Sequence, residues 1–283
     1  MPELPELQAL AEGLDAALAG AEVQRAVAWS PANLRTASPP LETLAGRHIT
    51  GVGRRGKVMV VRLDGDLAVA IHLMSAGRLG ITTPPKARPV RSAGFGLILT
   101  DGRELRLREL STKRRASAHV VDAEGLRTLP MLANLGPEPV GLSAQEWRER
   151  LTAPPGVLHN AMREGRRVAG VGRCYASEIM WAARLAPLAR TDRLDDAAWE
   201  RLAHAADVVL EGATERARER ITTNLPDKEK RLTMVHGHYG EACVRCGTTL
   251  ARVGFSEYEL VYCPACQTGG RRYADRRMDR LLR

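Results

Sequence analysis

The stretch KVMVVRLDGDLAVAIHL, residues 57–73, contains two apolar runs separated by Asp64-Gly65. Each run has the length and the valine- and leucine-rich composition of a β-strand. An Asp-Gly pair between two such runs is typical of a tight hairpin turn. Asp101-Gly102 separates two further runs in the same way. Residues 23–121 therefore predict a β-sandwich or barrel built from hairpins.

Helical patterns lie on both sides of this β-rich segment. Residues 5–18 carry leucine at a helical spacing and predict an amphipathic helix that ends at Gly20. Residues 126–141 contain three prolines and are interpreted as a linker. Beyond it, Ser143-Ala-Gln-Glu146 has the pattern of a capping box and opens a helical region that reaches residue 220. The chain is therefore predicted to be α+β and multidomain.

Four of the five cysteines form two pairs, Cys243-Val-Arg-Cys246 and Cys263-Pro-Ala-Cys266, separated by 16 residues. This is the spacing of a zinc site with four thiolates, because two tight knuckles bring the sulfurs into a tetrahedron. Disulfides are the alternative, which an intracellular location disfavours. We therefore expect one structural zinc ion in a hairpin at about residues 241–268.

Composition narrows the class of protein further. The 283 residues are 44% hydrophobic and 27% charged, enough to bury a core. No apolar run approaches the roughly 20 residues of a membrane span, and no basic signal region opens the chain, so we expect a soluble, cytoplasmic protein without a membrane partner. The net charge of +9 favours polyanions such as nucleic acid. Codon bias in a GC-rich genome is the alternative reason for 37 arginines against 5 lysines.

Several motifs occur in one characteristic order along the chain. They are Pro2-Glu3-Leu4-Pro5-Glu6, Arg54-Arg55-Gly56-Lys57 opening a strand, Ile71-His72-Leu73, Leu135-Gly136-Pro137-Glu138-Pro139, the segment from Val168 to Ile179 and the cysteine pairs. In this order the chain resembles the formamidopyrimidine-DNA glycosylase and endonuclease VIII family over essentially its whole length. The resemblance implies an N-terminal β-sandwich with a flanking helix, a helix–two-turn–helix domain and a C-terminal zinc-finger hairpin.

The expected boundaries follow from that resemblance and from the patterns above. They are a catalytic β-sandwich domain at 1–125, a linker at 126–141, a helix–two-turn–helix DNA-binding domain at 142–230, a zinc finger at 238–270 and a basic tail at 271–283.

The resemblance assigns catalysis to Pro2, Glu3 and Lys57. Removal of Met1 would leave Pro2 with a secondary amine, which attacks the sugar C1′ and forms an iminium that acidifies the C2′ proton. Glu3 would move protons beside it, and Lys57 would contact a phosphate next to the lesion. The alternatives are a plain helix N-terminus for Pro2 and Glu3 and an exposed strand-end lysine for Lys57.

DNA contacts are expected from residues in both halves of the chain. The candidates are Arg54, Arg55, His72, Met74, Gly172 and Arg173, with Met74 as a wedge and Gly170-Val-Gly-Arg173 bringing a helix N-terminus to a phosphate. A buried core histidine is the alternative for His72, and an ordinary turn for the two glycines.

The sequence departs from the family pattern at several of these positions. Arg173 stands where the family has asparagine, His159 where a lysine is frequent, and residues 109–115 differ from the family's loop that fills the hole left by the flipped base. Tyr258 replaces the arginine at the tip of the finger, between Glu257 and Glu259. Since that arginine assists the second elimination in the family, we expect strand cleavage to stop mainly after β-elimination.

Together these patterns predict a monomeric, nucleoid-associated enzyme of base-excision repair that acts on damaged double-stranded DNA. It is expected to remove oxidised or ring-opened bases as a glycosylase and to act as an AP lyase through an imine on Pro2. The alternatives are a non-catalytic protein that binds damaged DNA with the same fold and a generic zinc-ribbon nucleic-acid module. The second of these leaves the PELPE start and the Arg54–Lys57 motif unexplained.

Overall fold

The computed structural model describes residues 1–83, 92–228, 231–255 and 258–273. The chain forms two compact units, unit 1 with Met1–Leu135 and Thr214–Lys230, and unit 2 with Gly136–Ala213 and Arg231–Arg283. The predicted basic tail falls outside the described residues beyond position 273. Within the described ranges, no helix is long and apolar enough to cross a membrane.

Unit 1 is built mainly of antiparallel strands, which confirms the predicted β-rich segment. Its elements are α1 (Leu4–Leu18), β1 (Val23–Ala28), β2 (Ile49–Arg55), β3 (Val58–Leu63), β4 (Leu67–His72), β5 (Gly77–Thr82), β6 (Ala93–Leu99), β7 (Glu104–Glu109), β8 (Ser117–Asp122), α2 (Ala123–Thr128) and α3 (Pro130–Ala133). The strands form two four-stranded sheets, β1-β6-β7-β5 and β2-β3-β4-β8. Both sheets and the leucine face of α1 contribute to one apolar core, so the predicted sandwich with a flanking helix is confirmed.

The two Asp-Gly pairs lie in hairpin turns, as predicted. Gly65 and Gly102 both have positive φ, at 67° and 82°, a conformation that glycine adopts without steric cost. The first turn sets the register of β3 and β4, in which Leu63 lies opposite Leu67.

The run Val58–Val61 is apolar without alternation because both faces of its sheet are covered here. Met59 and Val61 face the main core. Val58 and Val60 pack in a second cluster with Leu129 and side chains of α2 and α3. These two short helices occupy part of the segment 126–141, where the sequence suggested a linker.

Unit 2 contains the helices and the cysteine-rich hairpin. Its elements are α4 (Ala144–Thr152), α5 (Leu158–Arg163), α6 (Arg173–Ala182), α7 (Asp196–Arg218), β9 (Ala251–Gly254), β10 (Glu259–Tyr262) and α8 (Pro264–Thr268). The boundary between the units falls within α7. Trp147 and Trp199 are fully buried in the core that these helices share. The capping box at Ser143 and Glu146 forms as predicted and fixes the start of α4.

Candidate functional site

The N-terminus of unit 1 lies at one defined end of the sheet β2-β3-β4-β8, because α1 runs antiparallel to β2. Three hydrogen bonds establish this direction: Gly20 N to Ile49 O at 2.8 Å, Val52 N to Asp15 Oδ1 at 2.6 Å, and Arg54 Nε to Gln8 Oε1 at 2.9 Å. The start of α1 is therefore at the end of the sheet where β2 finishes.

Pro2 and Glu3 occupy this end as the residues that precede α1. Glu3 is the N-cap residue, and its backbone N–H donates to Glu6 Oε2 at 2.9 Å. Glu3 and Glu6 are both buried residues, at 3% and 1% exposure. Pro2 is buried as well, whereas Met1 is 43% exposed. The geometry thus combines a helix N-terminus with a buried acid directly beside Pro2.

The strand register brings further candidates to the same end of the sheet. Arg54 and Arg55 are the last residues of β2, and Lys57 directly precedes β3. Gly56-Lys57 forms the turn between these strands, with Gly56 at φ 56°, so the expectation that the motif opens a strand is corrected here. His72 ends β4 and lies opposite Val58 on one side and Ser117 on the other.

His72 is held in its neutral form. The pKa of His72 is lowered to about 4, mainly by burial and further by the neighbouring groups Lys57 and His119. Its Nδ1 lies 3.1 Å from the backbone N–H of Met74, which donates to it. Nε2 therefore carries the ring proton, and the imidazole can donate one hydrogen bond to an anion without carrying charge.

Met74 is the second residue after β4, beyond Leu73, and has a φ of 51°, which is uncommon for a residue with a side chain. Its backbone is tied to His72 by the bond described above, and its side chain is partly exposed. The candidates of unit 1 therefore converge on one sheet end.

The remaining DNA-binding candidates lie in unit 2. Gly172 is the N-cap of α6, Arg173 is its first residue, and Gly170 has a φ of 84°. Arg173 is exposed. The predicted arrangement of two glycines before a helix is present, with backbone amides at the helix N-terminus that suit an anion.

Glu178 on α6 connects this helix to the segment before the finger, a role that the sequence analysis missed. Its carboxylate accepts the backbone N–H groups of Met234, Val235 and His236 at 2.7, 3.1 and 2.8 Å. Burial raises the pKa of Glu178, although these three bonds favour the charged form. Three consecutive amides aimed at one acid are visible only in the folded chain.

The finger tip is closed by Phe255 N donating to Tyr258 O at 2.8 Å, and Tyr258 packs against helical residues of unit 2. Its hydroxyl donates to Asn160 Oδ1 at 3.0 Å, and its ring stacks on Phe255 at 4.6 Å. Its acidic neighbour Glu257 lies outside the described residues, while Glu259 pairs with Arg252 at 3.1 Å.

The loop at residues 109–115, which departs from the family pattern, is held by hydrogen bonds to a carboxylate at its own start. The buried carboxylate of Glu109 accepts the backbone N–H groups of Arg115 and Ala116 at 3.1 and 2.6 Å. These bonds hold residues 110–116 to the end of β7.

The four paired cysteines form a compact cluster in which all sulfurs lie within 4.8 Å of one another. Cys246 Sγ is 3.5 Å from the sulfurs of both Cys263 and Cys266. Zn–S bonds of about 2.3 Å at tetrahedral angles place sulfurs about 3.8 Å apart, whereas a disulfide needs about 2.05 Å. Gly247, at φ 74°, shapes the first knuckle, and Pro264 begins α8 at the second. The cluster fits one structural zinc ion held by Cys243, Cys246, Cys263 and Cys266.

Comparison with known families agrees with this geometry. The formamidopyrimidine-DNA glycosylase N-terminal domain matches residues 1–116, and the zinc finger found in FPG and IleRS matches residues 240–269. The second match and the cysteine cluster confirm the predicted zinc ion.

Several curated relatives are similar over nearly the full chain. Formamidopyrimidine-DNA glycosylases of Chloroflexus aurantiacus and Geobacter sulfurreducens are 30% and 32% identical, over 94% of this chain and 98% and 100% of their own. A Lactococcus lactis FPG mutant, solved with DNA that contains Fapy-dG, aligns with a TM-score of 0.84 and 23% identity over 94% of this chain and all of its own. These matches confirm the resemblance and the predicted fold class: the chain belongs to the formamidopyrimidine-DNA glycosylase family.

Proposed function

We propose that this chain excises damaged bases from double-stranded DNA and cleaves the resulting abasic site as an AP lyase. The DNA glycosylase function predicted from the sequence is confirmed by membership of the family, and the non-catalytic alternative is not favoured. The observation that carries the proposal is the convergence of Pro2, Glu3, Lys57 and His72 at one end of a sheet. Oxidised and ring-opened bases are the proposed substrates.

Pro2 is the proposed nucleophile. After removal of Met1 its nitrogen lone pair attacks C1′, and the bond between C1′ and the base nitrogen breaks with its electrons on the base. Ring opening then breaks the C1′–O4′ bond, O4′ takes up the proton that the Pro2 nitrogen gives up, and an iminium between Pro2 and C1′ results. A base then removes the C2′ proton, and the electrons of the C2′–H bond move into the iminium to form an enamine. The enamine expels the 3′ phosphate by cleavage of the C3′–O bond, which completes β-elimination. Glu3, the residue next to Pro2, is the proposed group that accepts and returns the protons of the sugar and the amine in these steps.

Lys57, His72 and the two arginines of β2 are the proposed phosphate ligands of unit 1. Lys57 supplies a point charge, whereas neutral His72 supplies one hydrogen bond from Nε2. Arg54 is partly oriented by Gln8, at 2.9 Å. This mixture supports binding of the phosphates that flank a flipped nucleotide.

Unit 2 is proposed to make DNA contacts of its own, from Gly172 and Arg173 at the start of α6. The zinc ion has a structural role in this scheme, because four protein sulfurs leave no open coordination position for substrate. The functional division into the domains predicted above, a monomeric state and a nucleoid-associated cytoplasmic location stay predictions.

Borohydride trapping tests the nucleophile. Processed protein should form a covalent adduct with DNA that carries an abasic site, and Pro2→Gly should cripple trapping. An uncleaved N-terminal tag should abolish trapping, because it converts the amine of Pro2 into an amide. A tagged protein that traps DNA as well as the processed one would exclude Pro2. DNA binding without any trapping or cleavage would instead favour the non-catalytic alternative.

A further inference from the structure

Two arginines meet on one aromatic ring at the tip of the finger. The guanidinium carbons of Arg163, at the end of α5, and Arg173, at the start of α6, lie 4.9 and 5.6 Å from the ring centroid of Tyr258. Both distances fall within the range of a cation–π contact. The finger tip therefore gathers two positive charges although its own residue is neutral.

Tyr258 is itself fixed from several directions. Its hydroxyl is bound to Asn160, which also accepts Arg163 Nη1 at 3.3 Å. Its ring stacks on Phe255, and His159 lies parallel to it at a centroid distance of 6.1 Å. A ring held in this way offers its neighbours a stationary surface.

Two described carboxylates that neighbour Arg163 or Tyr258 in sequence are occupied by other arginines. Glu164, next to Arg163 in sequence, binds Arg166 and Arg167, and Glu259, next to Tyr258, binds Arg252. Within the ranges that the structure describes, no ion pair links Arg163 or Arg173 to an acid. The two guanidinium carbons lie at most 10.5 Å apart, because both distances run to the same ring centroid. Two such positive groups without a carboxylate repel each other, and an anion between them relieves that repulsion.

We infer that Tyr258 is a positioning residue whose ring holds Arg163 and Arg173 as a clamp for one DNA phosphate. The clamp supplies charge at the finger through residues of α5 and α6. This inference rests on the proposed function, since it takes DNA as the polyanion. His159 adds no charge here, because burial lowers its pKa to about 4.

The salt dependence of DNA affinity tests the clamp. For each phosphate contact, the slope of log affinity against log salt steepens by about 0.9 on duplex DNA. Arg163→Gln with Arg173→Gln should make the slope shallower by about 0.9, and Tyr258→Leu alone should do the same. Tyr258→Phe keeps the ring and should restore the steeper slope. Adding Tyr258→Leu to the double arginine variant should change the slope no further.

Tyr239→Leu is the matched control. The guanidinium carbon of Arg252 lies 4.3 Å from the ring centroid of Tyr239, but Arg252 is already paired with Glu259. Removal of the Tyr239 ring should therefore leave the salt slope as in the unaltered chain. Zinc content and urea midpoints establish that each variant is folded. A folded Tyr258→Leu protein with an unaltered slope would overturn the clamp alone, as would a Tyr258→Phe protein that behaves like Tyr258→Leu. Failure of the unaltered protein to bind DNA would overturn the proposed function and the clamp together.

Discussion

Acid should destabilise unit 2 through one buried histidine. His159 is 1% exposed, and burial, followed by the charge of Arg163, lowers the pKa of His159 to about 4. In the unfolded chain a histidine titrates near about 6.5. Because the folded pKa lies below the unfolded one, the stability from neutral His159 is complete above about pH 6.5 and is lost as the pH falls toward about 4.

The two pKa values set the size of this effect. At about pH 5 the unfolded histidine is almost fully protonated, while the folded one is almost fully neutral. Linkage then gives a loss of about 2 kcal/mol in the free energy of unfolding relative to about pH 7.5. His159→Asn removes the titrating ring. Between about pH 7.5 and about pH 5, the free energy of unfolding of this variant should therefore fall by about 2 kcal/mol less than that of the unaltered protein.

Urea unfolding followed by tryptophan fluorescence measures this difference. Trp147, Trp181 and Trp199, three of the four tryptophans, lie in unit 2 with His159. His204→Asn is the matched control, because His204 is exposed on α7; this variant should keep the pH difference of the unaltered protein. Equal losses of stability in His159→Asn and the unaltered chain would refute the reasoning.

Three further predictions concern the chemistry, the metal and the charge. Cleavage of a 5′-labelled abasic strand should give mainly the 3′ unsaturated aldehyde. Tyr258 cannot neutralise a departing phosphate, Arg252 is already paired with Glu259, and the clamp arginines stay engaged with the phosphate that they hold. Tyr258→Arg should shift the product toward 3′ phosphate, and a predominant 3′ phosphate from the unaltered protein would contradict this. Elemental analysis should find one zinc per chain, and Cys263→Ser should lose it and loosen residues 240–269 to protease; metal-free protein purified without chelator would exclude the site. The logarithm of DNA affinity should fall linearly with the logarithm of the salt concentration. Truncation after Tyr273 removes four arginines and should make this slope shallower. A flat slope in the full chain would refute binding dominated by phosphate contacts.

Features that depend on near neighbours in the chain were predictable from the sequence. The Asp-Gly hairpins, the leucine face of α1 and the cysteine knuckles each arise from a few consecutive residues whose preferences agree with the fold. Helix α1 was expected over residues 5–18 and forms at Leu4–Leu18.

Features that depend on register or on distant partners were not predictable. The sequence suggested that Arg54–Lys57 opens one strand, but Arg54 and Arg55 end β2, and Gly56-Lys57 forms the turn before β3. An apolar pattern does not reveal the positive φ of Gly56 that makes this turn. Lys57 and His72 meet through the register of β3 and β4. Tyr258 and Asn160 are 98 residues apart, so the only signal for their contact was that Tyr258 departs from the family pattern.

The bonds of Glu178 determine how the protein can be dissected. A fragment that ends before Met234 would leave a buried acid of α6 facing space from which three amide donors had been removed. A finger expressed alone would lose Glu178, the acceptor that binds the backbone N–H groups of residues 234–236 just before the finger. Deletion series that map DNA binding should therefore keep α6 and residues 231–236 on the same polypeptide, or truncate both together.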